Sequence, residues 1–203
     1  MKIALIGASG HAGSRILAEL VNRNHEVTAI ARNPENIPTH RLVTAEKADV
    51  HDTETLAKLL AGHDAVVSSI HFLSCDAPTL LKAVRQAGVR RYVVVGGAGS
   101  LEVQPGHRLI DTPEFPSAYR GESSAGVAFL EMLRTVSDLD WTFISPSAEF
   151  VEGERTGRFR LGENALLRDS QGRSWITYED YAVALVDELE RPAHVQRRFT
   201  VGY

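Results

Sequence analysis

A doubly wound parallel α/β sheet is the fold class that the sequence predicts, and three observations predict it. Short apolar runs (Ile3 to Ile6, Val27 to Ala31, Ala65 to Ser69, Tyr92 to Val95 and Trp141 to Ile144) alternate with helix-period segments along the chain. The runs are apolar at consecutive positions rather than alternate ones, as strands covered on both faces by crossover helices must be. The first run leads at once into Gly7, Gly10 and Gly13 and then an amphipathic segment, the strand, turn and helix of a β-α-β unit. A chain of 203 residues that is 43% hydrophobic buries one sizeable core, so residues 1–203 read as one domain.

The elements follow in order. After Gly10, residues Ala12, Ile16, Leu17, Leu20 and Val21 share one helical face, and Asn22, Arg23 and Asn24 close the helix before Val27 to Ala31. The alternation continues with a strand at Leu42 to Ala45, a helix at Thr53 to Leu60, the strand Ala65 to Ser69, a helix at Thr79 to Ala87 and the strand Tyr92 to Val95. A long helix is predicted from Glu122 to Val136, burying Val127, Phe129, Leu130 and Leu133, and it leads into Trp141 to Ile144. The pattern then changes: Arg158 to Leu161 and Leu166 to Arg168 read as small antiparallel strands, before a helix at Tyr178 to Glu190 and a last strand near Phe199 to Val201. Residues 147–180 are therefore expected to form a small C-terminal lobe on the substrate side of the sheet. No repeat, low-complexity tract or linker interrupts the chain.

The glycine turn carries the first chemistry. Gly7 lets the chain leave the strand tightly, Gly10 lets backbone approach a pyrophosphate, and Gly13 lets the helix pack close to the sheet. Ser9, His11 and Ala12 complete a loop whose backbone N–H groups, with the positive end of the helix dipole, favour an anion. In such sheets the ligand lies beyond the carboxyl ends of the strands. That rule selects Gly7 to Gly13, Arg32 and Asn33, Asp49 and Val50, Ser68 to His71, Gly96 to Ser100, and Pro146 to Glu149. Where a binder of the unphosphorylated dinucleotide presents an acid to the ribose, this chain has Ala31-Arg32-Asn33. A guanidinium forks onto a 2′-phosphate, so NADP(H) is expected in preference to NAD(H), unless Arg32 is a loop arginine stacked on adenine. Asp49 fits an adenine-edge contact with Val50 supplying backbone, or equally a loop-capping carboxylate.

Composition excludes other classes. A net charge of -4 and a pI near 6.1 supply no field to recruit nucleic acid or anionic membrane. The first strand begins at Lys2, which leaves no room for a signal peptide, and the expected compartment is the cytoplasm. Cys75 is the only cysteine, which bars an intramolecular disulfide, and it reads as a small buried hydrophobe. The eight histidines show no ligand spacing, so no metal site is expected. The oligomeric state is left open.

Gly-Ala-Ser-Gly-His-Ala-Gly at 7–13, Val-Val-Gly-Gly-Ala-Gly-Ser-Leu at 94–101, Trp-Thr-Phe-Ile-Ser-Pro-Ser-Ala-Glu-Phe at 141–150, Gly-Glu-Arg-Thr-Gly at 153–157 and Asp180-Tyr181-Ala182 carry a resemblance over essentially the whole chain. It is to the atypical short-chain dehydrogenase/reductases of the NADH-flavin reductase type, a group that also resembles biliverdin reductase B and the NmrA-like proteins. The resemblance implies an NAD(P)-binding Rossmann fold and a nicotinamide cofactor.

One absence bears on the reaction. The wider superfamily pairs a tyrosine with a lysine four residues on, which lowers the phenol pKa for proton exchange. Tyr119 stands in about the right place, before the predicted long helix, but Ser123 occupies the lysine position. The four lysines are Lys2, Lys47, Lys58 and Lys82, so the second half of the chain has none. Arg120 adjoins Tyr119 instead of lying one turn away. This disfavours a sugar epimerase or dehydratase. It suits hydride delivery to a small diffusible acceptor, a flavin or a quinone, that takes its proton from water. On this reading Ser68, Ser69 and Ile70 line the nicotinamide ribose, Gly97 and Ala98 leave space for a flat ring, and Pro146 to Ala148 cover the carboxamide. Tyr119 and Ser100 are the candidate polar contacts to the acceptor, against the alternatives of a lobe-packing tyrosine and a turn hydroxyl. His71 reads as a pocket-lining or a surface-loop histidine, and Glu149 as a proton acceptor or, in preference, a structural carboxylate in the turn towards the lobe. A non-catalytic redox sensor of the NmrA-like kind is the alternative function.

Overall fold

The computed structural model describes all residues, Met1–Tyr203. The chain runs through β1 (Lys2–Ile6), α1 (His11–Asn22), β2 (Glu26–Ala31), β3 (Val43–Lys47), α2 (Thr53–Leu60), β4 (Ala65–Ser68), α3 (Ala77–Gln86) and β5 (Arg91–Val95). It continues through β6 (Glu102–Gln104), β7 (His107–Arg108), α4 (Ser117–Arg134), β8 (Asp140–Pro146), β9 (Glu149–Val151), β10 (Arg160–Gly162), β11 (Trp175–Thr177), α5 (Tyr178–Glu190) and β12 (Arg197–Gly202). Eight strands form the main sheet in the order β10-β12-β8-β5-β4-β1-β2-β3. All its pairings are parallel except β10 on β12. Strand order reverses between β1 and β4, the crevice where an open α/β sheet binds its ligand.

Apolar residues at every position of a strand feed two cores. Ile3 and Leu5 point to the face covered by α1 and α5, where Ile16, Leu17, Leu20, Tyr181 and Leu185 meet them. Ala4 and Ile6 point to the opposite face, against Leu56 and Leu60 of α2, Leu80 and Val84 of α3, and Phe129 and Leu130 of α4. The doubly wound Rossmann architecture follows from this two-sided burial.

Three expectations are corrected. Helix α4 begins at Ser117, five residues before Glu122, so Tyr119 lies within its first turn. The added turn, Ser-Ala-Tyr-Arg-Gly, is largely exposed and carries no apolar period to announce it. The run Arg158 to Leu161 contributes β10, which joins the main sheet edge on β12 rather than a hairpin of its own. Leu166 to Arg168 form no strand, because neighbouring Ala165 makes only an isolated bridge to Glu102. Within 147–180 the paired strands are β9 and β11, parallel and separated by the intervening chain. The hairpin of β6 and β7 also went unpredicted.

Candidate functional site

The glycine turn is built as its spacing requires, with one division of labour the spacing does not reveal. Gly7 has φ +84°, and a Cβ there would lie 2.1 Å from the Ser69 carbonyl oxygen and 2.8 Å from Ile70. A Cβ on Gly13 would lie 2.0 Å from the Gly7 carbonyl oxygen, so α1 can start this close to β1 only on glycine. At Gly10 the nearest atom would be 3.4 Å away. Protein packing thus needs glycine at 7 and 13 and leaves the space at 10 to a ligand. Gly10 caps α1 without a side-chain bond, and no acid occupies the first helical turn. The N–H groups of the first turn and the helix dipole therefore face an uncompensated anion site, and the residues fit a pyrophosphate.

At the end of β2, Arg32 and Asn33 are exposed, and Arg32 makes no ion pair or side-chain hydrogen bond. Asp49 accepts from the His51 amide through Oδ1 at 2.9 Å, the turn-capping role; its other oxygen stays free beside half-buried Val50. Ser68 is turned inward: its hydroxyl is buried against the Tyr92 phenol at 2.9 Å. Its side chain is thereby removed from the ligand side, a correction to its expected role. Ser69 and Ile70 remain at the crevice, packed against Gly7. Cys75 is buried, burial pushing its thiol pKa up to about 11, so it is a core residue.

A cavity of about 1050 Å³ opens beyond the carboxyl ends of β5 and β8. Gly96, Gly97, Ala98 and Ser100 form one wall, Pro146 and Ala148 another, and Tyr119 with Ser123 projects from one face of α4. The cavity reaches the glycine turn through Tyr178, which lines it and stacks on His11 with ring centroids 5.9 Å apart. Tyr119 is 65% exposed and makes no side-chain hydrogen bond, so it does not pack the lobe. Arg120 donates to the Ile110 carbonyl at 2.8 Å and lies over the Phe115 ring, leaving Ser123 as the group one turn from Tyr119. No cation stands one turn from Tyr119 on this face of α4; the cation that lines the cavity is Arg168, which donates to the Gly172 carbonyl at 2.7 Å.

Phe72 closes one end of the cavity, a role the sequence did not signal. Its ring lies 5.2 Å from that of Phe129, and a Cβ on Gly126 would meet it at 2.9 Å. The turn is latched by Glu122, whose carboxylate accepts from the amides of Phe72 and Leu73 at 2.7 and 3.1 Å. The His71 ring lies 3.4 Å from the same carboxylate. Phe72 and Glu122 are fifty residues apart, and no local pattern links them.

Glu149 lines the cavity and is paired with Arg173 at 2.6 Å. Two further segments meet beside it. The buried Asp180 carboxylate accepts from Thr156 Oγ1, from the Gly157 amide at 2.7 Å and from the Tyr203 phenol at 2.7 Å. Arg155 reaches from the same segment to buried Glu19 of α1 at 2.7 and 2.8 Å. The 153–157 and 180–182 motifs therefore brace the chain between β9 and β10 against α1 and α5.

This construction coincides with a family signature: the profile of the family described as NAD(P)H-binding matches residues 7–192. The chain belongs to the NAD(P)H-binding family. Three solved structures share this NAD(P)H-binding fold over 100% of the chain. One, described as a candidate exported protein of Burkholderia pseudomallei, is 47% identical with a TM-score of 0.91 and is itself covered over 100% of its length. A candidate epimerase of Bacteroides thetaiotaomicron is 43% identical with a TM-score of 0.95, covered over 96%. A candidate NADH-flavin reductase of Streptococcus pneumoniae is 36% identical with a TM-score of 0.84, covered over 99%. The three descriptions differ although the fold is shared, so the fold of an NAD(P)H-binding protein does not fix its acceptor. No helix of the chain is long and apolar enough to cross a membrane.

Proposed function

We propose that the protein is a reductase that binds NADP(H) in preference to NAD(H) and delivers hydride to a diffusible flavin or quinone-like acceptor. The observation that carries the reading is the large cavity beside the glycine turn, lined by bare glycine backbone and by a tyrosine with no cation one helical turn away. Bound there, the dinucleotide supplies hydride. The first turn of α1 holds its pyrophosphate, Arg32 the 2′-phosphate, and Asp49 and Val50 the adenine side; Ser69 and Ile70 border the nicotinamide ribose. Gly97 and Ala98 leave room for a planar acceptor, with Ser100 and Tyr119 as its polar contacts and 147–180 as the lobe on that side. Phe72, latched by Glu122, excludes water from the apolar end. Because no lysine tunes Tyr119, the chain's work is binding, orientation and water exclusion, and the acceptor's proton comes from solvent.

The family membership supports the dinucleotide, and the partnerless Arg32 supports the phosphorylated form. A cytoplasmic location, where reduced dinucleotide is supplied, belongs to the same reading, as does the absence of nucleic-acid or membrane partners. The test is oxidation of NADPH and NADH measured against flavins, quinones and small carbonyls. Turnover with flavin or quinone and none with carbonyls is the expected result. Tight dinucleotide binding without turnover on any acceptor would replace it with the NmrA-like sensor, and carbonyl turnover would revive the dehydrogenase reading.

A further inference from the structure

Two arginines of the main sheet are buried, and they are treated differently. Arg91 on β5 is ion-paired with the buried Glu188 carboxylate at 3.0 Å. Arg198 on β12 is 8% exposed yet has no carboxylate partner. Its Nε and Nη2 donate to Asn164 Oδ1 at 3.1 and 2.6 Å, and its Nη1 makes a long contact with Ser100 Oγ at 3.4 Å. Burial, with the charge of Arg134 beyond it, outweighs the opposing fields of Glu102 and Glu131 and pushes its pKa down to about 10, so it still carries its proton at neutral pH. A buried charge with no carboxylate in direct contact is costly, and the more distant Glu102 and Glu131 offset only part of its field at the neighbours it faces.

The neighbour it faces is Ser100, which lines the cavity. Ser100 Oγ accepts from Arg198, and its own proton has no acceptor within the protein. The hydroxyl is held in place by its surroundings. The Leu101 amide donates to the Ala98 carbonyl at 2.9 Å, and the Ile110 amide to the Gly99 carbonyl at 3.0 Å. A Cβ on Gly99 would lie 2.9 Å from Ser123. Asn164 is laced to the same loop, its carbonyl accepting from the Glu102 amide at 2.8 Å.

We propose that Arg198 is a positioning residue that acts through Ser100 to hold the negative charge an acceptor gathers as it is reduced in this cavity. The proposal rests on the hydride-acceptor reading above and deepens it. In the step, the acceptor gains two electrons and one hydrogen as hydride while the dinucleotide is oxidised. A flavin reduced at N5 in this way carries a negative charge over N1 and the C2 carbonyl until solvent supplies a proton there. Ser100 donates its O–H to that end, and the Arg198 charge behind it polarises the hydroxyl. A site without a tuned proton donor gains most from stabilising the anion, because fixed dipoles in a water-poor cavity act without reorganising.

The experiment is an anaerobic titration, without dinucleotide, of oxidised and of dithionite-reduced riboflavin at pH 8, where the reduced form is anionic. It compares the unmodified protein with Ser100→Ala, Arg198→Met, Arg198→Lys and the Ser100→Ala/Arg198→Met double variant. Loss of the Ser100 hydroxyl or of the Arg198 charge should weaken binding of reduced riboflavin about tenfold and of the oxidised form less than about twofold. Arg198→Lys should keep part of the effect, and the double variant should lose no more than the larger single loss. In turnover with NADPH the same variants should lower kcat and leave KM for riboflavin unchanged. Equal weakening of both redox forms, or additive losses, would overturn the proposal and make Arg198 a structural brace. If Arg198→Met does not fold, Ser100→Ala decides alone, an unselective result overturning the proposal. Failure of the unmodified protein to bind riboflavin in either redox state would overturn the flavin reading itself, and this inference with it.

Discussion

Replacing Gly10 and Gly13 in turn separates what the fold needs from what the ligand needs. At Gly13 an added Cβ falls 2.0 Å from the Gly7 carbonyl oxygen and 3.0 Å from its carbon, both backbone atoms that no rotamer change can move aside. Overpacking of this kind costs about 1–3 kcal/mol, and the clash here belongs at the upper end. Alanine recovers about 1 kcal/mol over glycine within a helix, so Gly13→Ala should lose about 2 kcal/mol net. For a chain of this size that lowers Tm by about 4–8 °C. At Gly10 the backbone is extended, φ −76° and ψ 171°, and a Cβ comes no closer than 3.4 Å to any atom. Gly10→Val therefore loses only a favourable helix-capping residue, about 1 kcal/mol or less. Its side chain occupies the space over the first turn of α1, and dinucleotide binding should disappear. Thermal melts without ligand, paired with calorimetric titration of NADPH, read both effects. Normal NADPH affinity in Gly10→Val would show that the pyrophosphate does not lie there, and an unchanged Tm in Gly13→Ala would refute the close-approach argument.

Three further outcomes are expected. Arg32→Ala should weaken NADPH binding by about ten- to a hundredfold, the worth of a charge-assisted phosphate contact of about 1.5–3 kcal/mol, and leave NADH affinity nearly unchanged; equal affinities of the unmodified protein for the two would remove its basis. Tyr119→Phe should change kcat with a flavin acceptor by less than about tenfold, whereas a general acid would cost about 10²- to 10⁴-fold; a thousandfold drop in a folded variant would restore a carbonyl-reducing mechanism. Burial opposes ionisation of Glu188, but hydrogen bonds from the His194 ring and from the amides of His194 and Ala193 outweigh it and hold its pKa below the ordinary carboxylate value. Its ionised form thus stabilises the fold above the unfolded-state pKa, and that contribution is lost as pH falls through the depressed native value. Glu188→Gln, which leaves Arg91 buried without its partner, should cost about 3–5 kcal/mol at neutral pH and flatten the acid limb of a stability-against-pH curve; a parallel acid limb would show that Glu188 does not govern it.

The sequence by itself determined the succession of the parallel main-sheet strands and the five α-helices, the position of the glycine turn and the lack of a lysine beside Tyr119. These are legible because apolar periodicity records burial on one or both faces, glycine records close approach or left-handed backbone, and a missing residue type is missing in any fold. Helix α5, Tyr178–Glu190, has the bounds expected of it; Thr177 caps it and its buried face is long. Tertiary structure decided what each polar side chain does. Ser68 ends a strand at the crevice, and only the sheet register turns its hydroxyl to Tyr92 rather than to the ligand. The start of α4 was hidden because an exposed turn leaves no apolar trace, yet that turn carries Tyr119 into the cavity. Glu122 finds Phe72, and Arg198 finds Ser100, across 50 and 98 residues of chain. Such pairs leave no local mark, because a side chain's partner depends on which strands and helices the packing brings together, and periodicity reports only which face of an element is buried.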